Sequence, residues 1–527
     1  MTDFDAIVIG AGHNGLAAAA ILQRGGLRTL CVEKNHYSGG MAATVELFKG
    51  FQFEIAGSVL FPIPHEIYDD LGIGVCQTVD TEVMSVNLGG PEDEPIIFYS
   101  DPERLLNHIA DKHGAEAMLG MAKLMEWAAA PARALGRFDV RKPPRTLDEM
   151  YACANNEAER AAIHEMLFGS AMDVLGKCFP DKEKHKMLRS FLAFLAVNST
   201  YRGPYSAGSA TCLAFALASP PDTRLMKKFD GGIGSLAKHV RGLFESHGGE
   251  LRLKTQVERI LTEGGRVTGV ALKGGDVITA PIVVSNLDPG VTLTKLMNPD
   301  ELPPDVVTRL SGVDHRAAYV QMHFALDGLP EYAPPFDFLN TPALQGTLGL
   351  FGSAEEMQRN WEDCRRGIVP EDPSLGMQIP SIYDAALAPE GKHAASAFAF
   401  YFPVEVDRSE HGRLKDEMAE AVIAKITRLA PNFRDIIIRH TTFASFHMET
   451  MFGCPDGDFC HGLIHPDLMG QFRPGPKGWL DLPIPVDGLY LGGAGCHGGP
   501  GVTFIPGYNA GYEALEEAER LTAAKSH

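Results

Sequence analysis

The stretch DAIVIGAGHNGLAAAAILQRGGLRTLCVE, from Asp5 to Glu33, constrains the fold more than any other part of the chain. It reads as a strand (Ala6 to Ile9), a glycine turn, a helix opening at about Asn14, and a second strand (Thr29 to Val32) closed by an acid. Gly10, Gly12 and Gly15 form G-x-G-x-x-G in the strand-to-helix context that gives this motif its meaning. Gly10 permits the tight turn, Gly12 leaves room for a pyrophosphate against bare backbone, and Gly15 lets helix and strand pack closely. The free N–H groups and positive end of the helix favour the phosphate charge. Glu33 stands where a carboxylate accepts ribose hydroxyls, and it disfavours the extra phosphate of NADP.

At 527 residues the chain suggests two or three domains, or one nucleotide fold with insertions. A net charge of -20 argues against a nucleic-acid partner, which needs a basic face. Nine scattered cysteines with no C-x-x-C pair fit a reducing compartment and exclude a metal knuckle or dithiol centre; no metal is expected. The first strand follows the initial MTDFD at once, which leaves no room for a signal or transit peptide. The longest apolar runs (Phe191 to Val197, Cys212 to Ala218, Ala397 to Phe402) are too short to cross a membrane and read as core. The expected setting is cytoplasmic, with membrane contact at most peripheral.

After Glu33 and Lys34, the Gly39-Gly40-Met41-Ala42 turn again brings bare backbone close to the same cofactor. Gly50 to Pro64 is an alternating strand ending in small residues and prolines. From about Asp101 to Ala218 the pattern turns helical, with breaks at Pro131 and Pro143-Pro144. Phe229 to Gly249 gives glycine punctuation before an amphipathic helix, and five short strands with Gly-Gly turns follow, ending in a buried strand, Ile282 to Val284. From about Val291 to Asp481 strands (Ala318 to Leu326, Ala397 to Val404) mix with a helix carrying Leu414, Met418, Val422, Ile426 and Leu429. The chain closes with a strand (Leu489 to Leu491), a glycine-rich loop and a final helix.

Two glycine-rich strand-to-helix turns at opposite ends of the chain suit one long ligand, FAD, with its pyrophosphate at the first helix and its ribitol and ring at the last. Together with SGGMAA (Ser38 to Ala43), FDGGIGSL (Phe229 to Leu236), QVERIL with GRVTGVAL (Gln256 to Leu261, Gly265 to Leu272), VVSNLDP (Val283 to Pro289) and the terminal LYLGGAGCHGGPGVTFIPGYNAG, the sequence resembles the phytoene-desaturase-like flavoproteins. These are a branch of the glutathione-reductase and monoamine-oxidase superfamily, and within it the chain looks like the pyridine nucleotide-disulfide oxidoreductase domain group. His13 in the glycine turn is typical of that branch.

The resemblance implies an α/β fold: a discontinuous, glutathione-reductase-like Rossmann FAD domain (1–95, 225–300 and 482–527) with an inserted α+β substrate domain (96–224 and 301–481). It implies non-covalent FAD held at Gly10, Gly12, His13, Asn14, Gly15, Glu33, Lys34, Gly39, Gly40, Met41 and Ala42, with the Val257 backbone near the adenine. Gly57, Ser58, Ala494, Gly495, Val502, Thr503, Pro506 and Asn509 would approach the flavin. A helix starting near Thr503 to Pro506 would aim N–H groups at the ring edge that gains negative charge on reduction, and Pro506 suits a first helical turn.

The family's usual H-P-G-G-G-V is here His497-Gly498-Gly499-Pro500-Gly501-Val502, and its Lys-Ile-Asn-like strand is Gln321-Met322-His323. The thiol pair for disulfide reduction and a second dinucleotide motif are missing. His497 and His323 are the catalytic candidates; their bland alternatives are a histidine satisfying loop carbonyls and a polar sheet face. Tyr508 and Tyr205 could wall a cavity or simply pack, Glu54 could be a base or a solvated strand residue, and Cys496 beside His497 could be an activated thiol or a point of flavin attachment. The expected reaction is oxidation of a lipophilic small molecule, with hydride passing to flavin N5, a C=C or C=N bond forming, and oxygen or a quinone as electron acceptor. Redox-neutral double-bond isomerisation and a structural FAD in a binding or assembly protein are the alternatives. A homodimer is left open.

Overall fold

Ala6–Ile9 is buried at every position and forms the middle of a five-stranded sheet. The order across the sheet is Leu489–Leu491, Ile282–Ser285, Ala6–Ile9, Thr29–Val32, Glu250–Arg252, and every pairing is parallel. Parallel strands covered on both faces run as continuous apolar segments, which is the composition of AIVI, TLCV and IVVS. The computed structural model describes residues 2–58, 62–198, 200–218 and 228–525. The expected boundary between residues 224 and 225, and residues 59–61 of the Gly50 to Pro64 stretch, lie outside them.

The first helix, His13–Arg24, packs against the last, Ile505–Lys525. A Cβ on Gly507 would sit 1.8 Å from the Asn14 carbonyl oxygen, and one on Gly511 3.0 Å from Ala18 Cα. Two glycines four residues apart share one helix face, so the two backbones can approach where any side chain would hold them apart. Both ends of the chain are thereby joined beside the central strand. Of the five short strands expected after Gly249, the outer two enter this parallel sheet. Val257–Glu263, Arg266–Leu272 and Val277–Thr279 form a separate antiparallel meander.

A seven-stranded sheet forms the second body, in the order Ile437–Phe443, Tyr319–Leu326, His393–Phe400, Leu375–Gln378, Thr347–Leu350, Val83–Leu88, Ile96–Tyr99. The last two strands form a hairpin, so the expected boundary at residue 95 falls inside it. His411–Leu429 covers this sheet with Leu414, Met418, Val422 and Ile426 buried, the stripe read from the sequence. Helices between Pro102 and Leu217 form a further layer. One of them, Ala115–Leu135, runs through Pro131 and ends only where Gly136 turns left-handed at φ 55°. The expected break at Pro131 is therefore absent; proline removes one donor there, and the helix continues for only four more residues. The strand expected over Ala397 to Val404 lies at His393–Phe400, because its register is set by pairing with Tyr319–Leu326. Phe191 to Val197 lies in a helix buried at most positions, in line with a core role. Among the described residues no helix is long and apolar enough to cross a membrane.

Candidate active site

At the end of the central strand Gly10 adopts φ 91°, which favours glycine. Gly12 precedes the helix and offers no side-chain cap, so the first-turn N–H groups stay available to a ligand. A Cβ on Gly15 would lie 2.0 Å from the Gly10 carbonyl oxygen, and one on Gly12 2.7 Å from Asn286 Nδ2. Asn286 comes from the VVSNLDP segment and supports the turn from below. The second glycine turn closes against the first: Gly39 N–H donates to the Ala11 carbonyl at 2.7 Å, and a Cβ on Gly40 would meet Gly12 Cα at 3.1 Å.

Glu33 is buried, with Oε2 accepting Ala11 N–H at 2.9 Å and Oε1 accepting Asn35 N–H at 2.8 Å. These bonds aim the carboxylate and leave each oxygen a further lone pair. Val257 opens its strand two residues after Thr255, whose N–H donates to the Glu33 carbonyl at 2.8 Å. Lys34 sends its ammonium away from the turn, to the Thr450 carbonyl at 2.8 Å. Gly57 N–H donates to the Met41 carbonyl at 2.7 Å, and a Cβ on Gly57 would be 3.7 Å from Val502 Cγ2. Ala42 and Ser58 are buried beside them.

The C-terminal loop doubles back on itself. A Cβ on Gly499 would lie 2.2 Å from the Ala494 carbonyl oxygen, and one on Gly495 2.6 Å from Pro289 Cδ. The last helix begins at Ile505 with Pro506 in its first turn, and Ile505 N–H donates to Thr503 Oγ1 at 3.3 Å. Asn509 is already engaged, its Oδ1 accepting Arg141 N–H at 3.0 Å.

The two candidate histidines stand apart in their bonding. His323 is fully buried, with Nδ1 2.8 Å from Ser396 Oγ and Nε2 3.1 Å from the Ile55 carbonyl, so the ring ties the second sheet to the Ile55 loop. Burial pushes its pKa down to about 4. His497 faces Arg473 and the Arg145–Asp139 pair; burial first, then the two arginines, lower it to about 4. Both are neutral rings at pH 7.

Three other expectations change. Glu54 is not a solvated residue: it is buried, accepts Ile233 N–H at 2.7 Å, and burial raises its pKa. Cys496 is not an activated thiol, because burial pushes it up to about 12. Tyr205 sits on the surface, bonded to Glu355 at 2.6 Å, while Tyr508 packs on Tyr512.

Sequence reading missed the wall that adjoins Met41. Ala56, Tyr319 and Met448 are buried together with Met41, Phe443 and Phe459 around them. Gln321 follows Tyr319 on the same strand face, fully buried, with neither amide atom partnered. The period-two pattern Tyr319, Gln321, His323 marks one strand face of the wall in the sequence, whereas Ala56, Met448, Phe443 and Phe459 carry no such signal.

These features fit FAD. His13 Nε2 and Asn14 Oδ1 are buried polar atoms without protein partners at the first helical turn, and burial lowers His13 to about 4, so its ring is neutral at pH 7. Backbone donors, a side-chain-free cradle, an aimed carboxylate and a second bare loop suit a pyrophosphate, a ribose and an extended polar chain.

The family model described as flavin containing amine oxidoreductase matches residues 15–517. Rat pyridine nucleotide-disulfide oxidoreductase domain-containing protein 2 is 28% identical, covering 98% of this chain and 94% of that protein. Prolycopene isomerase of Daucus carota is 23% identical over 95% of this chain and 78% of its own. Phytoene desaturase of Neurospora crassa is 23% identical over 95% and 82%. A solved structure of putrescine oxidase bound to putrescine shares the fold at TM-score 0.57 and 15% identity, covering 98% of this chain and 99% of that one. The chain belongs to the flavin-containing amine oxidoreductase family and is an FAD-dependent oxidoreductase.

Proposed function

We propose that the protein oxidises a lipophilic small molecule at a C–H bond, forming a C=C or C=N bond, with oxygen or a quinone as final electron acceptor. The observation that carries this reading is the apolar wall of Ala56, Tyr319, Met448 and Phe459 beside the Met41 and Gly57 backbone. FAD supplies the two-electron acceptor when bound. Gly10, Gly12, Gly15 and the first turn at His13 and Asn14 would hold its pyrophosphate, Glu33 its ribose, and Gly57, Ser58 and the Ala494 to Asn509 stretch its ring.

The remaining work falls to this chain's own groups. Tyr319 and Phe459 meet edge to face with ring centroids 4.5 Å apart, which gives a stiff, water-excluding surface against which an apolar substrate is oriented. Burial raises the Tyr319 pKa further, so its hydroxyl stays protonated and can orient a substrate heteroatom. Neutral His323 and His497 place no charge against the substrate. Orientation in a near-attack geometry supplies much of the acceleration, since a positioned C–H needs no strong protein base.

The test is anaerobic mixing of the yellow holoprotein with long-chain polyenes and long-chain amines while the flavin band is followed. Bleaching by a member of either class supports oxidation, and its absence throughout defeats the reading. The isomerase among the relatives favours a second reading, redox-neutral isomerisation. Sustained conversion without any electron acceptor would select it.

A further inference from the structure

Gln321 is a fully buried carboxamide set in the apolar wall, and neither its nitrogen nor its oxygen has a protein partner. Its surroundings explain why. In the antiparallel sheet it stands directly opposite Phe443 on one side and Phe398 on the other, and opposite residues turn their side chains to the same face. Along its own strand Tyr319 and His323 share that face. Tyr319 meets Phe459 edge to face. Both nitrogens of His323 are already committed, to Ser396 Oγ at 2.8 Å and to the Ile55 carbonyl at 3.1 Å. The flanking rings of Phe398 and Phe443 are only partly buried, so protein does not close this face of the sheet, and rotation of either side chain uncovers the amide.

Two other glutamines are buried among the described residues, and both are used. Gln345 donates to the Pro330 and Leu339 carbonyls at 3.1 and 2.9 Å, and Gln378 accepts from Lys228 Nζ at 2.8 Å. Gln321 alone of the three holds nothing together. Burying an amide with neither kind of bond made is destabilising, and leucine or methionine would fill the same space without that penalty. A partner that is not protein accounts for the residue.

We propose that Gln321 is a specificity-determining residue whose carboxamide binds a neutral group that both donates and accepts, a hydroxyl or an amide, on the lipophilic substrate. The carboxamide offers N–H donors beside a carbonyl acceptor, which suits such a group and gains nothing from a hydrocarbon. A pure hydrocarbon at the wall leaves the amide desolvated and unbonded, and a site built to hydrogen-bond its substrate rejects the analogue that lacks the group. The inference rests on the oxidation of a lipophilic molecule proposed above, and it restricts that molecule to one with a polar group within reach of Gln321.

Calorimetric titration of the oxidised, FAD-loaded protein with a fatty alcohol, a fatty amide and the alkane of equal chain length tests it. The wild type is expected to bind at least one polar ligand about tenfold more tightly than the alkane. Gln321→Leu and the nearly isosteric Gln321→Met are expected to abolish that preference by weakening the polar ligand while the alkane binds as well or better, a selective change that a purely structural glutamine would not produce. Equal binding of polar ligand and alkane by the wild type overturns the inference, as does a preference that survives in a variant retaining FAD. Loss of FAD from both variants also overturns it, because the amide then serves the cofactor. If a hydrocarbon polyene bleaches the wild-type flavin and no polar preference is found, this inference fails and the oxidation reading stands; if no ligand binds and none bleaches the flavin, both fail.

Discussion

The Gly10 to Gly15 turn and the wall around Tyr319 both adjoin the Gly40-Met41 segment, yet one is made of backbone and the other of side chains. In the turn, function comes from what is missing: no Cβ at Gly12 or Gly15, no cap on the helix, one carboxylate aimed by two N–H groups. At the wall, the proposed substrate site would act through bulk and buried polar atoms, with Tyr319 against Phe459 and Gln321 without a protein partner. A backbone site tolerates almost no substitution, whereas a side-chain site can change its substrate while the fold persists. That difference explains how relatives named as a desaturase and an isomerase share one frame with this chain.

The contrast breaks most sharply at Gly15. Gly15→Val places atoms where a Cβ alone would lie 2.0 Å from the Gly10 carbonyl, and overpacking of this kind costs about 1–3 kcal/mol. Loss of the flavin band after desalting, with a lower melting temperature, is the expected outcome; full flavin content would undo the backbone account.

Acidification comes next. His13, His323 and His497 are each lowered from 6.5 to about 4 in the folded state, so the unfolded chain binds protons that the folded one does not. Stability is present above pH 6.5 and falls as pH drops from 6.5 towards 4, by about 1.4 kcal/mol per unit for each ring. Urea unfolding at pH 7, 6 and 5 measures the slope, and His323→Gln should make it shallower. A slope unchanged by that substitution would remove His323 from the account.

Glu33→Gln follows. The charged acceptor aimed at the ribose hydroxyls is lost, and with it about 2 kcal/mol of binding, so the dissociation constant for FAD measured by fluorescence should rise about thirtyfold.

Gln321→Leu is the smallest effect and has the opposite sign. Replacing a buried amide without partners by an apolar group of similar size should stabilise the ligand-free wall by about 1 kcal/mol. A lower melting temperature would show that Gln321 has a partner in the holoprotein.

The same contrast explains what could be read in the sequence. Gly10, Gly12, Gly15, Glu33 and the paired glycines at 39 and 40 declare themselves because backbone geometry demands glycine at short, fixed spacing, and the parallel sheet follows from uninterrupted apolar runs. The wall draws on residues 41, 56, 319, 443, 448 and 459, which no local pattern connects. Glu54 misled because an alternating strand usually exposes its polar positions, and here the carboxylate is buried and accepts Ile233 N–H, with the half-buried Lys228 ammonium acting on it through its charge.

One measurement bears most directly on the central claim: anaerobic flavin bleaching by lipophilic substrates, compared between the wild type and Phe459→Asp with equal FAD content. The account predicts that at least one long-chain polyene or amine bleaches the wild type, and that a charge in the wall slows bleaching at least about a hundredfold, the loss expected when substrate is misplaced from its reactive geometry. No bleaching of the wild type by any of them, or equal rates in the two proteins, would contradict it.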